Sequence, residues 1–183
     1  LTTRCNLKCK MCGVWMANEE ELETYYVKKL IDDTYKIGNL QEVYFTGGEA
    51  LLRPDIFNLV KYVKDFYPNL RITINTNGSF LTRKMIDKLI DIGLETLGIS
   101  IDSPMPEVHN ALRGEGVLER IIEAIDYINA EKKRRNTQHP LLDTCSVLME
   151  QTLDTMHDML DFCLKYKFSG IHIQPYVCNS DLR

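Results

Sequence analysis

The chain has 183 residues, enough for one domain with a sizeable core. Its 22 basic and 26 acidic residues give a net charge of −4, which removes any general electrostatic case for binding nucleic acid or an anionic membrane. No stretch approaches the roughly 18 apolar residues of a membrane span, and at 44% hydrophobic residues the chain does not need its 6 cysteines as a disulfide scaffold.

Taken in order, the chain opens on Leu1 to Thr3, read as the stub of an earlier strand, so that the whole is expected to be a core fragment of a longer protein. Residues 5 to 12, CNLKCKMC, follow at once. Residues 14 to 21 read as a linker ending in the acidic run Glu19 to Glu21, which suits a helix start. A helix then runs to about Ile37 and stops at Gly38-Asn39. Residues 41 to 46 form a strand broken by Gly47-Gly48-Glu49. A second helix begins near Pro54, with Ile56, Leu59, Val60, Val63 and Phe66 at helical spacing.

Residues 71 to 76 are the next strand, ended by Asn77-Gly78. A third helix starts near Thr82, carries Met85, Ile86, Leu89 and Ile90 on one face, and stops at Gly93. Residues 95 to 101 form a strand, and a longer loop with Pro104 and Pro106 leads to Arg113-Gly114. A helix over about 116 to 133 shows Leu118, Ile121, Ile122, Ile125 and Ile128, and its basic end complements the helix dipole. A strand at 142 to 149, a helix at 153 to 167 and a strand at 170 to 174 complete the chain.

Strand and helix alternate throughout, which predicts a parallel sheet with right-handed crossovers. The strands share one pattern. Val43, Phe45, Ile72, Ile74, Ile99, Ile101, Ile171 and Ile173 make an apolar face. The alternates are Tyr44, Thr46, Thr73, Asn75, Gly98, Ser100, Asp102, His172 and Gln174. A parallel sheet covered on both faces should be apolar on both, so this one is expected to curl around a polar cavity, with its chemistry at the C-terminal strand ends.

The unusual residues fall at those ends. Cys5, Cys9 and Cys12 are spaced C-x3-C-x2-C. Iron–sulfur clusters are normally held by four thiolates, so a loop offering three leaves one iron of a cubane open to a chelating ligand. The competing reading is a zinc knuckle, although structural zinc sites are closed by four ligands and the next cysteine is Cys145. Gly47 and Gly48 let backbone approach a ligand closely, and Glu49 beside them offers a carboxylate to an ammonium group. Ser100 and Asp102 end the fourth predicted strand on one face, and Arg113 offers a carboxylate clamp. Each has a plain alternative: an ordinary turn, a strand cap, a surface arginine. Together they match an amine, a carboxylate and a ribose, the profile of S-adenosylmethionine (SAM).

In the motifs CNLKCKMC, TGGEALL, TNGSFLT, ISID, HNALRGEG and IHIQP, in this order, the sequence resembles the radical SAM superfamily over nearly its whole length. It is similar to the branch with molybdenum-cofactor, peptide-modifying and sulfatase-maturing enzymes. The resemblance implies a partial (β/α)6 barrel and a [4Fe–4S] cluster on Cys5, Cys9 and Cys12, with SAM on the fourth iron. It implies Gly47, Gly48 and Glu49 at the methionyl amine, Ser100 and Arg113 at the carboxylate, and Asp102 near the ribose. Met11 stands where the family often has an aromatic beside the adenine, and Gln174 on the strand that flanks the adenine. The implied activity is reductive cleavage of SAM to a 5′-deoxyadenosyl radical that takes hydrogen from a substrate. The implied partners are a flavodoxin- or ferredoxin-like electron donor and a peptide or small-molecule substrate, in the cytoplasm.

The sequence departs from the family pattern at Ala50, where proline is usual, and at Ser103-Pro104, where glycine is common. Cys178 is the one residue that begins to look like a second cysteine cluster. Cys145 and Cys163 read as core residues, His109 as part of a loop or helix start, and His172 as an interior or cavity-facing histidine. The competing functional readings are a non-catalytic cluster- or SAM-binding module and a zinc-stabilised α/β domain.

Overall fold

The computed structural model describes residues 1–17 and 19–177; Cys178 lies outside them. Five strands, β1 (Glu42–Phe45), β2 (Arg71–Thr76), β3 (Thr96–Ser100), β4 (Leu141–Leu148) and β5 (Gly170–Pro175), pair side by side in chain order, every pair parallel. The sheet is a half-barrel with its helices outside. These are α1 (Thr24–Ile37), α2 (Ile56–Phe66), α3 (Arg83–Asp91), α4 (Pro106–Arg113), α5 (Val117–Arg134), α6 (Glu150–Leu153) and α7 (Asp158–Tyr166).

The apolar periodicity builds the core between sheet and helices. Ile72, Ile74, Leu97, Ile99 and Leu142 on the outer face are fully buried against Leu59, Val60 and Val63 of α2, Ile86 and Leu89 of α3, and Ile121, Ile125 and Ile128 of α5. Each such side chain contributes about 1.5–3 kcal/mol of burial. The helix punctuation works as its residue types require. Thr82 caps α3 by accepting from the Met85 N–H at 3.3 Å, and α1 stops at Gly38 with φ 95°.

The register places the polar alternates in rows across the inner face. Asn75, Gly98, Asp143 and Gly170 form one row; Ser100, Cys145 and His172 the next; Val147 and Gln174 the last, towards the strand ends. A Cβ on Gly98 would meet the Asn75 side-chain oxygen, so that side chain would have to move.

Three expectations change. Leu1 to Arg4 is not a sixth strand among the described residues. It runs alongside the turn after β1, where Gly48 N–H donates to the Thr2 carbonyl at 2.7 Å and Glu49 N–H to the Arg4 carbonyl at 2.8 Å. The loop expected around Pro104 and Pro106 contains α4, which Pro106 opens at a position where its missing N–H breaks nothing. The helix expected over 153–167 begins only at Asp158 as α7, after a turn that separates it from the short α6, which lies over Glu150–Leu153. No described helix is long and apolar enough to cross a membrane.

Candidate active site

The C-terminal strand ends open into a cavity of about 480 Å³ whose wall includes Cys5, Cys9 and Cys12. The cysteine loop has no regular structure of its own, so its shape is imposed from outside. Lys10 N–H donates to the Leu112 carbonyl of α4 at 2.9 Å, and Cys12 N–H closes a turn on the Cys9 carbonyl at 3.1 Å. Asn77, at the end of β2, donates from Nδ2 to the Asn6 side chain at 2.9 Å and approaches Cys5 Sγ at 3.7 Å. Leu7 N–H also points at Cys5 Sγ, at 3.5 Å. Burial raises the Cys9 pKa, the Arg113 guanidinium pulls it back, and the neighbouring Cys5 and Cys12 push it up again.

Met11, Gly47, Gly48, Ser100, Arg113 and Gln174 share that wall with the cysteines. Gly47 and Gly48 are needed for a packing reason as well. A Cβ on Gly48 would sit inside contact distance of the Arg4 and Thr3 carbonyls, and one on Gly47 would meet the Thr2 backbone. The glycine turn therefore clamps the segment that leads into Cys5. Gly48→Ala is expected to displace that segment, lowering both the melting temperature and the iron bound per chain in anaerobic reconstitution. A variant that loads iron like the wild type would show that the clamp does not set the loop.

Two of the expected ligand contacts lie away from the wall. Glu49 is fully buried and is not part of the wall. Its Oε1 accepts from Leu51 N–H at 3.1 Å and Thr76 Oγ1 at 2.8 Å, and its Oε2 from Asn77 N–H at 2.7 Å. Burial raises its pKa despite these three donors. The carboxylate ties the turn after β1 to the end of β2. Asp102 is likewise fully buried and off the wall. Its Oδ2 accepts from Arg113 Nε at 2.6 Å, and its Oδ1 from Arg113 Nη2 at 3.0 Å and Val147 N–H at 2.9 Å, three donors that hold it away from the wall.

The wall also holds residues outside the expected ligand set. Asn75, Asn77, Cys145 and Trp15 line the cavity. Cys145 is half-buried beside the Asn75 side-chain oxygen rather than packed in the core, and burial raises its pKa. Strand alternation places it on the polar face, and that signal was available. Trp15 lies on a short 3-10 turn with its indole Nε1 buried and without a hydrogen-bond partner among the described residues. Cys163 is in the core, as expected. His172 is more exposed than expected, pairs with Asp143 at 3.2 Å and is not part of the wall.

His109 is on α4, fully buried, and accepts from the Asp102 backbone N–H at Nδ1. Burial, with Arg113 adding to it, lowers its pKa to about 4 from an ordinary 6.5. A base with a depressed folded pKa stabilises the fold above its unfolded value and loses that contribution as pH falls from 6.5 through 4. The expected loss is on the order of 3 kcal/mol. Denaturant titrations of wild type and His109→Gln across that window should differ in slope, and parallel curves would count against a neutral buried imidazole.

The sequence profile of the radical SAM superfamily matches residues 1–163. The chain belongs to the radical SAM superfamily. It is 36% identical over 132 residues to an AdoMet-dependent heme synthase of Methanosarcina barkeri, covering 70% of this chain and 37% of that protein. It is 33% identical over 136 residues to a GTP 3′,8-cyclase of Sulfurimonas denitrificans, covering 69% and 40%. The chain thus spans about two fifths of the length of these curated relatives. Among solved structures, Streptococcus suis SuiB bound to S-adenosylmethionine superposes over 97% of this chain and 40% of its own with a TM-score of 0.78. At 21% identity that likeness speaks for the fold alone.

Radical SAM membership implies SAM and an iron–sulfur cluster. The residues present fit that pair. Three thiols share one wall, with N–H donors directed at one of them and a guanidinium beside another. Among the described residues no three His, Cys, Asp or Glu groups gather closely enough to hold a single metal ion.

Proposed function

We propose that this chain is the catalytic core of a radical SAM enzyme, with a [4Fe–4S] cluster on Cys5, Cys9 and Cys12 and SAM in the adjoining cavity. The observation that carries the reading is the shared wall: three thiols, the Gly47-Gly48 backbone, Ser100 and Arg113 border one space of about 480 Å³. When bound, the cluster and SAM supply the chemistry, a one-electron cleavage of a carbon–sulfur bond that yields a 5′-deoxyadenosyl radical able to take hydrogen from a substrate. The protein's part is to bind, orient and exclude water.

In this reading the backbone at Gly47 and Gly48 meets the methionyl amine, in place of the Glu49 carboxylate. The Ser100 hydroxyl and the Arg113 guanidinium hold the methionyl carboxylate, the latter as a charge-assisted contact. Met11 and Gln174 flank the adenine. The substrate, a small molecule or a peptide, enters along the polar inner face of the half-barrel, and a flavodoxin- or ferredoxin-like carrier in the cytoplasm donates the electron.

The test is anaerobic reconstitution with iron and sulfide, followed by dithionite and SAM. Formation of 5′-deoxyadenosine and methionine is the expected result. Iron-loaded protein that binds SAM but yields neither would reduce the chain to a binding module, and zinc in place of iron would end the proposal.

A further inference from the structure

We propose that Asp102 is a positioning residue: it presents Arg113 to the carboxylate of SAM and makes no contact with the ligand itself. This rests on the function proposed above and assigns to Asp102 a role other than ribose binding.

The argument starts from α4. His109 and Arg113 are four residues apart and therefore on one face of that helix. Both grip the same residue. His109 Nδ1 accepts the backbone N–H of Asp102 at 3.3 Å, while Arg113 gives Nε and Nη2 to its carboxylate at 2.6 and 3.0 Å. From the other side the Val147 N–H of β4 holds Oδ1 at 2.9 Å. Asp102 is completely buried, and the Arg113 side chain is only 9% exposed. The carboxylate cannot turn towards the cavity without losing all three donors.

The guanidinium is fixed in turn. A carboxylate that takes Nε and Nη2 in the fork geometry sets the plane of the group. Nη1 is then the nitrogen without a hydrogen-bond partner among the described residues, on a side chain that forms part of the cavity wall. Burial works against the charged form of Arg113, but Asp102 outweighs it and keeps the cation. The preceding residue on the helix, Leu112, holds the cysteine loop through Lys10 N–H. One short helix thus fixes Arg113 relative to Cys9 and Cys12, and Asp102 fixes the direction in which Arg113 points.

The consequence is ligand-specific. If Asp102 acts through Arg113, its loss weakens only ligands that carry the carboxylate. If it held the ribose, every adenosyl ligand would weaken alike. The experiment measures equilibrium binding of SAM and of decarboxylated SAM, S-adenosyl-3-methylthiopropylamine, to cluster-loaded wild type, Asp102→Asn, Arg113→Lys and the double variant. SAM affinity is expected to fall about ten- to a hundred-fold in Asp102→Asn, the range for partners that orient a ligand-holding group. Decarboxylated SAM should bind Asp102→Asn within about two-fold of wild type on this reasoning, which also shows that the variant is folded. The double variant should be no weaker for SAM than Arg113→Lys alone.

Equal losses for both ligands in Asp102→Asn, accompanied by an unchanged melting temperature, would return Asp102 to the ribose and overturn the inference. So would additive losses in the double variant. Wild-type protein that binds neither ligand would instead overturn the functional reading and the inference with it, so the two failures are distinguishable.

Discussion

Replacing any one of Cys5, Cys9 or Cys12 by alanine is expected to abolish formation of 5′-deoxyadenosine from SAM and to leave less than the wild-type complement of iron. A cubane held by three thiolates already has one iron without a cysteine. Removing another leaves two protein ligands. Cys145 shares the wall, but its thiol is turned to the Asn75 side chain. The loss should be of function more than of fold, because Cys5 and Cys12 are only half-buried and the loop is pinned by backbone and asparagine contacts. Iron and sulfide analysis, EPR of the reduced protein and product assay check this together. Wild-type turnover in any of the three variants would remove the cluster from the mechanism.

Glu49→Ala is expected to be the most damaging change to stability near the site, by roughly 3–5 kcal/mol in denaturant unfolding. It strands the N–H groups of Leu51 and Asn77 and the Thr76 hydroxyl, and each buried donor left without an acceptor costs about 1–3 kcal/mol. The damage should also reach the cluster, since Asn77 positions Asn6 and approaches Cys5 Sγ. Glu49→Gln keeps one acceptor oxygen but turns an amide NH2 against a donor, so it should fall between wild type and alanine. The sign of the pH effect follows from the raised pKa. The native state holds this proton more tightly than the unfolded chain does. Stability from this group is therefore full below its unfolded value of 4.5 and declines as pH rises through its elevated folded value. Glu49→Gln should remove that decline, and an unaltered pH profile would show that the carboxyl is ionised throughout.

The cysteine loop, the glycine turn and the alternation of β1 to β5 were legible because they are local. Spacing within eight residues, a pair of glycines and a period of two need no knowledge of the rest of the fold. The same alternation gave the correct wall positions of Ser100 and Gln174. It would have given Cys145 too, had its strand position been weighed above the general habit of buried cysteine. α4 was not legible. Pro104 and Pro106 read as loop punctuation, and a helix that begins on proline shows itself only when the following turn finds something to pack on.

By itself, then, the sequence determined a parallel α/β sheet with one polar face and a three-cysteine loop at its C-terminal edge. Periodicity and covalent spacing are properties of the chain. Only the tertiary structure decided which acids face the cavity. Glu49 and Asp102 stand beside wall residues in sequence, yet both turn inwards. Asn77, just after β2, and Arg113 of α4, 28 and 11 residues further along the chain, arrive with donors that satisfy them. A buried carboxylate remains where its hydrogen bonds are met, and those partners are set by how the strand ends and helices come together, which no local pattern records.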